Sequence, residues 1–138
     1  MINLHEYRYN KHSLSGEDGV IEKILQISFQ DKKINVCEFG AGDIVENSNT
    51  LNLIKNNKIN FIFFIEKDLN LFNKLSNLKL KYPEIIPINK LVDFKKDSDD
   101  TIDNILKNNN IPNHLDIMSI DIDSFDLHIY RSIKEYHP

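Results

Sequence analysis

Residues 34–43 read Ile-Asn-Val-Cys-Glu-Phe-Gly-Ala-Gly-Asp, and this stretch decides the fold that we expect. Its apolar first half predicts a short strand, which the two glycines that follow bring to an end. A helix is predicted to come next, with Ser48 or Asn49 as its cap. A strand that passes through a glycine turn into a helix is the opening of a βαβ unit.

The same alternation of strand and helix continues along the chain. Apolar runs predict strands at 61–65, 85–89 and 115–123, and residues at helical spacing predict helices between them and before the first strand. The connections are too long for hairpins, so we expect a parallel sheet of about four strands with helices on both faces. The third strand contains a proline, which predicts a place at the edge of the sheet. The fold class we expect is therefore α/β.

Composition and charge exclude several classes of protein. The chain has 138 residues, of which 41% are hydrophobic, enough for the core of one domain. Its 17 basic and 21 acidic residues give a net charge of -4, which does not favour a nucleic-acid surface. Cys37 is the only cysteine, so a disulfide scaffold is excluded. No apolar run reaches the roughly 18 residues of a membrane span, and the first residues lack a signal-peptide pattern. We therefore expect a cytoplasmic protein that does not bind a membrane.

Glycine is scarce in this sequence. There are four glycines, at positions 16, 19, 40 and 42, where average usage would give about ten. A chain that uses so few is expected to place them where the backbone needs them.

Acidic residues and glycines coincide where the first two predicted strands end. Ligands of parallel α/β sheets bind beyond the carboxyl ends of the strands. The first strand ends in an acid followed by Gly-Ala-Gly, and Glu66 ends the second, where its two oxygens can accept hydrogen bonds from both hydroxyls of a ribose. Together they indicate nucleoside binding, although a plain strand-to-helix turn and a solvated acid would look the same. The third glycine of a dinucleotide fingerprint is absent, which argues against an NAD enzyme.

A second group of acids follows the fourth predicted strand. Asp121 and Asp123 are expected on one face of an extended strand, with Asp126 close behind. Their repulsion would be relieved by a divalent metal such as Mg²⁺ or Mn²⁺, by a cationic ligand or by a lysine. Alternatively, Asp123 caps the last helix and Asp126 lies in its first turn. His128 near the same rim is either a general base or a partly buried surface residue.

Four segments of the chain resemble the class I S-adenosylmethionine-dependent methyltransferases, most closely their FkbM-like group. They are residues 15–22, 36–43 with 48–50, 64–66 and 115–123. The resemblance implies a single Rossmann-like domain over residues 1–138 that binds S-adenosylmethionine, with strand order 3-2-1-4. Relatives continue into a fifth strand, so we expect a truncated methyltransferase fold whose fourth strand is an uncovered apolar edge.

The resemblance also implies roles for the matching residues. Glu38 is expected to orient the loop and to face the methionine amino group, and Glu66 to hold the ribose hydroxyls. Asn89 is expected near the adenine, and Asp121 beside the methyl-transfer site. The residues expected to bind the cofactor are Glu38, Gly40, Ala41, Gly42, Asp43, Glu66, Asn89 and Asp121.

The activity implied by the resemblance is methyl transfer to a small hydroxyl acceptor such as a sugar. Asp121, Asp123 or His128 is expected to deprotonate the acceptor, or the two aspartates to hold a metal that does so. Two alternatives stay open. One is a non-catalytic S-adenosylmethionine-binding or assembly module, in which a homo-oligomer or a partner chain covers the fourth strand. The other is a nucleotide-sugar glycosyltransferase that uses Asp121-Ile122-Asp123 as a metal-binding D-x-D motif.

Overall fold

Strands and helices alternate through the chain. The structure, a computed structural model, describes residues 2–30, 32–43, 47–56 and 58–138. The strands in these ranges are β1 (Ile34–Phe39), β2 (Ile59–Glu66), β3 (Ile85–Asn89) and β4 (Ile117–Ile120). The α-helices in the same ranges are α1 (Glu17–Ser28), α2 (Leu51–Lys55), α3 (Leu69–Lys79), α4 (Ile102–Asn108) and α5 (Asp126–Ser132), and a 3₁₀ turn covers Leu4–Tyr7.

The four strands form one parallel sheet in the order β3-β2-β1-β4. This confirms the predicted α/β class, the predicted order and the edge position of the proline-containing strand. The sheet grows from β1 through β2 to β3 and then returns to the other side of β1 for β4. The point where the direction reverses, between β1 and β4, is where ligands of such Rossmann-like sheets bind.

Both faces of the sheet are covered by helices. One face packs against α1, α2 and α3, through side chains that include Val36, Ile62 and Phe64. The other face packs against α4 and α5, through the alternate residues Cys37 and Phe63. Because side chains of a strand alternate between the two faces, the unbroken apolar run of β2 fills both cores. None of the helices in the described ranges has the length and apolar character that crossing a bilayer requires.

β4 is shorter than the strand predicted at 115–123. Its ladder to β1 ends where the Asp121 N–H donates to the Phe39 carbonyl at 3.1 Å. The chain then leaves the extended conformation, because Asp123 and Ser124 have φ angles of 55° and 77°. The expectation that Asp121 and Asp123 share one face of an extended strand is therefore wrong.

The segment before α1 is fastened to that helix by Asp18. Its buried carboxylate accepts hydrogen bonds from the backbone N–H groups of Lys11, His12 and Ser13, at 2.7 to 2.9 Å. Burial acts to raise the pKa of Asp18, but these hydrogen bonds favour the ionised form and lower its pKa below the usual value. At Gly19, a Cβ atom would overlap the Tyr7 carbonyl oxygen, so glycine permits the close approach of the segment to the helix.

We expect Gly19→Ala to destabilise the protein by about 2 kcal/mol, because the added methyl group meets rigid backbone. Helix propensity alone predicts the opposite effect on stability, since alanine is favoured over glycine by about 1 kcal/mol inside a helix. Urea denaturation measures the difference. Ser28→Ala, at the exposed last position of α1, is the control and is expected to stay within about 0.5 kcal/mol. A Gly19→Ala variant more stable than wild type would contradict the close contact.

Candidate functional site

The carboxyl edge of the sheet brings together residues from all four strands. Gly40 and Gly42 follow β1, Glu66 ends β2, Asn89 ends β3 and Asp121 follows β4. They meet because parallel strands point their carboxyl ends in the same direction.

Gly40 lies just beyond the end of β1, against the backbone of Asp121, which follows β4. Its N–H still donates to the Ile65 carbonyl of β2 at 3.1 Å, and its φ is 69°. A Cβ atom here would overlap the carbonyl oxygen of Asp121. Glycine is therefore required twice, for the left-handed backbone and for the approach of β4.

Among the described residues, Gly42 differs from Gly40 in having space where a Cβ atom would lie. Its φ is 54°, but the nearest atom to a Cβ would be the Gly40 carbonyl oxygen at 3.8 Å. The Gly42 N–H donates to Glu66 Oε2 at 3.0 Å, which ties the loop after β1 to the end of β2. Within the described residues, an alanine side chain at position 42 would therefore meet no close neighbour.

Glu66 is 5% exposed, and its carboxylate organises the end of β2. While Oε2 receives the Gly42 N–H, Oε1 accepts from the Asp68 N–H at 2.8 Å. Each carboxylate oxygen has two lone pairs, so both oxygens keep acceptor capacity for a ligand hydroxyl. The Asn89 side-chain amide donates to the Glu66 carbonyl at 2.8 Å and braces the same strand end from β3.

Glu38 is the centre of a buried hydrogen-bond network. It is 1% exposed and accepts hydrogen bonds from the Ser48 hydroxyl at 3.0 Å, the Asn49 N–H at 3.0 Å and the Thr50 hydroxyl. Burial raises the pKa of Glu38 to about 7 against the effect of these hydrogen bonds, and the negative charge of Asp121 adds to the rise. The network fixes the loop that leads into α2.

The network extends to the edge strand and to the helix start. The Asn49 side-chain amide donates to the Ser119 hydroxyl of β4 at 3.2 Å. The N-cap of α2 is Thr50, so the prediction of Ser48 or Asn49 as the cap is wrong by one or two residues. The Ser48 hydroxyl still accepts hydrogen bonds from the N–H groups of Thr50 and Leu51, where the helix begins. The Glu38 carboxyl group thus connects β1 to the loop before α2 and, through Asn49, to β4.

Two of the predicted cofactor residues have mainly structural contacts. The Ala41 side chain is buried in the core formed with α1, α2 and α3. Asp43 forms an ion pair with Lys74 of α3 at 2.7 Å, with both side chains partly exposed.

The β4 side of the carboxyl edge carries Asp121, Asp123 and His128. Both aspartates are exposed, and within the described residues no side chain donates a hydrogen bond to either carboxylate. His128 stacks on Phe94 instead. Asp126 accepts from the Ile122 N–H at 2.9 Å, in the first turn of α5. In the described parts of the chain, no group of three or more His, Cys, Asp and Glu residues is placed to hold a metal ion. A metal held by Asp121 and Asp123 stays a prediction.

Two clefts border α1. One of about 300 Å³ lies between the start of α1 and β4, where Asn49 and Ser119 contribute to its lining. The other, of about 1050 Å³, lies between the N-terminal segment and α1, and is lined by Tyr7, Tyr9 and Lys58 among others. Lys58 precedes β2, at the amino end of the sheet. Size alone does not make this larger cleft the site, since it lies away from the switch point.

Two features of this region could not be derived from residue spacing. The contact of Asn49 with Ser119 links residues 70 positions apart. The stacking of Phe94 on Phe125 and His128 joins the loop after β3 to the start of α5. The only sequence signal for the second contact is a phenylalanine with polar or charged neighbours in each of the two connections, Phe94 between Asp93 and Lys95 and Phe125 between Ser124 and Asp126.

The parallel strand order and the helices on both faces define an α/β protein with a Rossmann-like sheet. The chain matches no protein-family model, and no curated protein or solved structure shows significant similarity to it.

We expect Gly40→Ala and Gly42→Ala to differ strongly in stability, although both glycines have positive φ. Alanine at Gly42 adds only the left-handed backbone cost of about 1–2 kcal/mol. Alanine at Gly40 adds overlap with the β4 backbone, for a loss of more than about 3 kcal/mol. Urea denaturation of both variants compares them. Equal losses would contradict the close approach of β4 to Gly40.

We expect the free energy of unfolding to carry a pH-dependent contribution from Glu38. The unfolded chain ionises this carboxyl near pH 4.5, whereas the folded chain keeps the proton to about pH 7. The contribution is fully present below pH 4.5 and is lost as pH rises to about 7, by on the order of 3 kcal/mol.

Urea denaturation of wild type and Glu38→Gln across this pH range isolates that contribution, since glutamine does not titrate. The stability of Glu38→Gln relative to wild type should rise with pH. Glu84→Gln, which lies before β3, is the control and should follow the wild-type profile. Parallel profiles for wild type and Glu38→Gln would rule out the proposed burial of a protonated carboxyl.

Proposed function

We propose that this chain binds S-adenosylmethionine at the carboxyl edge of its sheet and transfers the methyl group to a small hydroxyl acceptor such as a sugar. The observation that carries the proposal is the hydrogen bond from the Gly42 N–H to Glu66 at 3.0 Å. It joins the glycine loop after β1 to the acid that ends β2, the two features from which the sequence predicts nucleoside binding. The four sequence segments that resemble class I methyltransferases support the choice of this nucleoside.

The residues at this edge fit such a cofactor. Among the described residues, Gly42 leaves space where a larger residue would place its side chain. Glu66 has acceptor capacity for two ribose hydroxyls, and its carboxylate is held in position by two backbone N–H groups. Glu38 would contribute to binding indirectly, because its buried carboxyl accepts hydrogen bonds that hold the Ser48–Thr50 loop in place.

When bound, the cofactor would supply a methyl group on a positively charged sulfur, which keeps the electron pair as the carbon–sulfur bond breaks. The acceptor oxygen forms the new bond to carbon and loses its hydroxyl proton. Asp121 and Asp123 are the exposed carboxylates that can take this proton, and His128 is a further candidate base. Most of the acceleration would come from holding acceptor and methyl donor in line.

The open edge of β4 favours a second candidate, a non-catalytic cofactor-binding or assembly module. Within the described residues, β4 pairs with β1 alone, and its outer edge has no strand beside it. Unpaired edges are places where another chain adds a strand. This candidate predicts cofactor binding without methyl transfer, together with self-association or a partner chain on β4. Sedimentation velocity and a methyl-transfer assay on the same sample separate it from an active monomer.

The glycosyltransferase alternative has less support. A D-x-D site needs Asp121 and Asp123 to converge on one metal, but the left-handed backbone at Asp123 turns the chain between strand and helix. Manganese-dependent binding of a nucleotide sugar would favour it.

Isothermal titration calorimetry with S-adenosylmethionine and S-adenosylhomocysteine tests the proposal. We expect wild type to bind both ligands and Glu66→Ala to lose at least about tenfold in affinity, because two hydrogen bonds to a charged acceptor disappear. Glu84→Ala, away from the carboxyl edge, is the matched control and should bind like wild type. Thermal melts without ligand verify that each variant is folded at the titration temperature. Failure of wild type to bind either ligand would refute the proposed function.

A further inference from the structure

The larger of the two clefts that border α1 is lined by more basic than acidic side chains. Its volume is about 1050 Å³, and it lies between the N-terminal segment and α1. The charged residues that line it are the basic Arg8, Lys11, Lys23 and Lys58 and the acidic Glu6 and Glu22. Over the whole chain, 21 acidic residues outnumber 17 basic ones, so the charge balance is reversed here. We call this cleft the basic cleft.

Two lysines of the basic cleft lie over aromatic rings. Lys23 Nζ is 4.5 Å from the centroid of the Tyr7 ring and 3.1 Å from Gln26 Oε1. Lys11 Nζ is 5.5 Å from the centroid of the Tyr9 ring. Within the described ranges, neither lysine forms an ion pair with a carboxylate. Rings and amides carry no net charge, so these contacts leave the charge of both lysines without a counter-ion.

The arginine and the two acids of the basic cleft are also bound to groups other than each other. The Arg8 guanidinium donates to the Ser15 carbonyl through Nε at 2.9 Å. Glu22 accepts from the Tyr9 hydroxyl, and Glu6 accepts from an asparagine amide at 2.9 Å. In the part of the chain that the structure describes, Arg8 has no ion pair with a carboxylate either. Three cations of one cleft therefore lack an anionic partner.

The backbone that carries Tyr9 and Lys11 is fixed to α1. The Gly19 N–H donates to the Tyr9 carbonyl at 3.2 Å, and Asp18 accepts from the Lys11 N–H at 2.7 Å. The buried side chain of Leu25 gives the cleft an apolar part of its wall. Charges next to an apolar wall are screened less than charges in water, and a fixed backbone reduces the ordering cost of binding.

We propose that the basic cleft binds a small ligand that carries two or more phosphate groups. A phosphate supplies negative charge together with several acceptor oxygens, which ammonium and guanidinium groups complement. Three cations without anionic partners require more than one such group, and about 1050 Å³ is ample room for a small molecule. A nucleic acid fits less well, because a chain with a net charge of -4 repels a long polyanion.

This site is separate from the one proposed for methyl transfer and does not rest on it. The basic cleft reaches Lys58, which precedes β2 at the amino end of the sheet. The residues proposed to bind S-adenosylmethionine follow the carboxyl ends of the strands, at the opposite edge. The two ligands should therefore bind independently.

Isothermal titration calorimetry of the full chain tests the site with three probes. Tripolyphosphate represents inorganic polyphosphate, fructose 1,6-bisphosphate represents a phosphorylated metabolite, and citrate is a polyanion without phosphate. We expect saturable binding of at least one phosphate probe, and citrate binding weaker by at least about tenfold. The affinity for the phosphate probe should fall as salt is raised from about 0.05 to 0.3 M, because exposed charges are screened.

The double variant Lys11→Gln/Lys23→Gln should weaken the phosphate probe by at least about tenfold, because two of the cations are removed. Lys79→Gln/Lys107→Gln is the matched control, since it makes the same change in net charge at exposed helix positions outside the basic cleft. It should bind within about twofold of wild type. Lys11→Arg/Lys23→Arg keeps both charges and should retain most of the affinity. Thermal melts verify folding, and the single variant Lys23→Gln replaces the double variant if that is unfolded.

The remaining outcomes decide the source of the ligand or overturn the site. Tighter binding of tripolyphosphate assigns the cleft to inorganic polyphosphate, and tighter binding of the bisphosphate assigns it to a phosphorylated metabolite. Absence of saturable binding of both phosphate probes overturns the site, as does citrate binding of equal affinity. Equal losses in the two glutamine double variants also overturn it, since binding would then follow net charge alone. Displacement of the probe by S-adenosylhomocysteine would place the probe at the carboxyl edge and overturn the separate site.

Discussion

The burial of the Glu38 carboxyl in the central strand is the constraint on which the rest of the site depends. A carboxyl group that is 1% exposed is costly unless its oxygens are satisfied. Ser48, Asn49 and Thr50 satisfy them, so the loop after the glycine turn has to come back over β1. The same requirement aligns the start of α2, because Ser48 accepts the first N–H groups of that helix.

A buried carboxyl is a poor source of stability but a strong source of specificity. An apolar residue at position 38 would fill the same space without desolvation cost, yet would leave the three donors of the loop without an acceptor. The loop would then be free to sample other conformations. Gly40 and Gly42 carry no side chains, so at these two positions only the backbone can be held. Glu66 accepts a hydrogen bond from the Gly42 N–H, and Glu38 accepts one from the Asn49 N–H further along the loop.

Residue patterns predicted the sheet well because its constraints are local. β1 and β3 occupy their predicted bounds, since each is a short apolar run with a clear stop. The order β3-β2-β1-β4 follows the resemblance, and the proline in β3 is tolerated because that strand is an edge. The glycines at 40 and 42 were correctly expected where the backbone needs them, and the overlap of a Cβ at Gly40 with β4 gives one of the reasons.

The failures of prediction have a common physical origin in the turn after β4. Period-two alternation of Asp121, Ile122 and Asp123 looks like a strand, but alternation cannot report that Asp123 and Ser124 adopt positive φ. That change of sign separates the two aspartates from a common strand face and sends Phe125 toward Phe94. The partner of Phe125 is 31 residues away in sequence and belongs to a loop without periodicity, so no local pattern could identify it.

The same turn also sets which groups stand at the two sides of the carboxyl edge. On the β2 side, the Gly42 backbone is joined to the Glu66 carboxylate by a hydrogen bond. On the β4 side, the turn carries the exposed Asp123 carboxylate and the exposed Phe125 ring. Asp121 lies between the two, with its carbonyl against Gly40 and its side chain exposed to solvent. The absence of a Cβ atom at Gly40 therefore keeps the two sides close, because a side chain there would push the Asp121 backbone away from the end of β1.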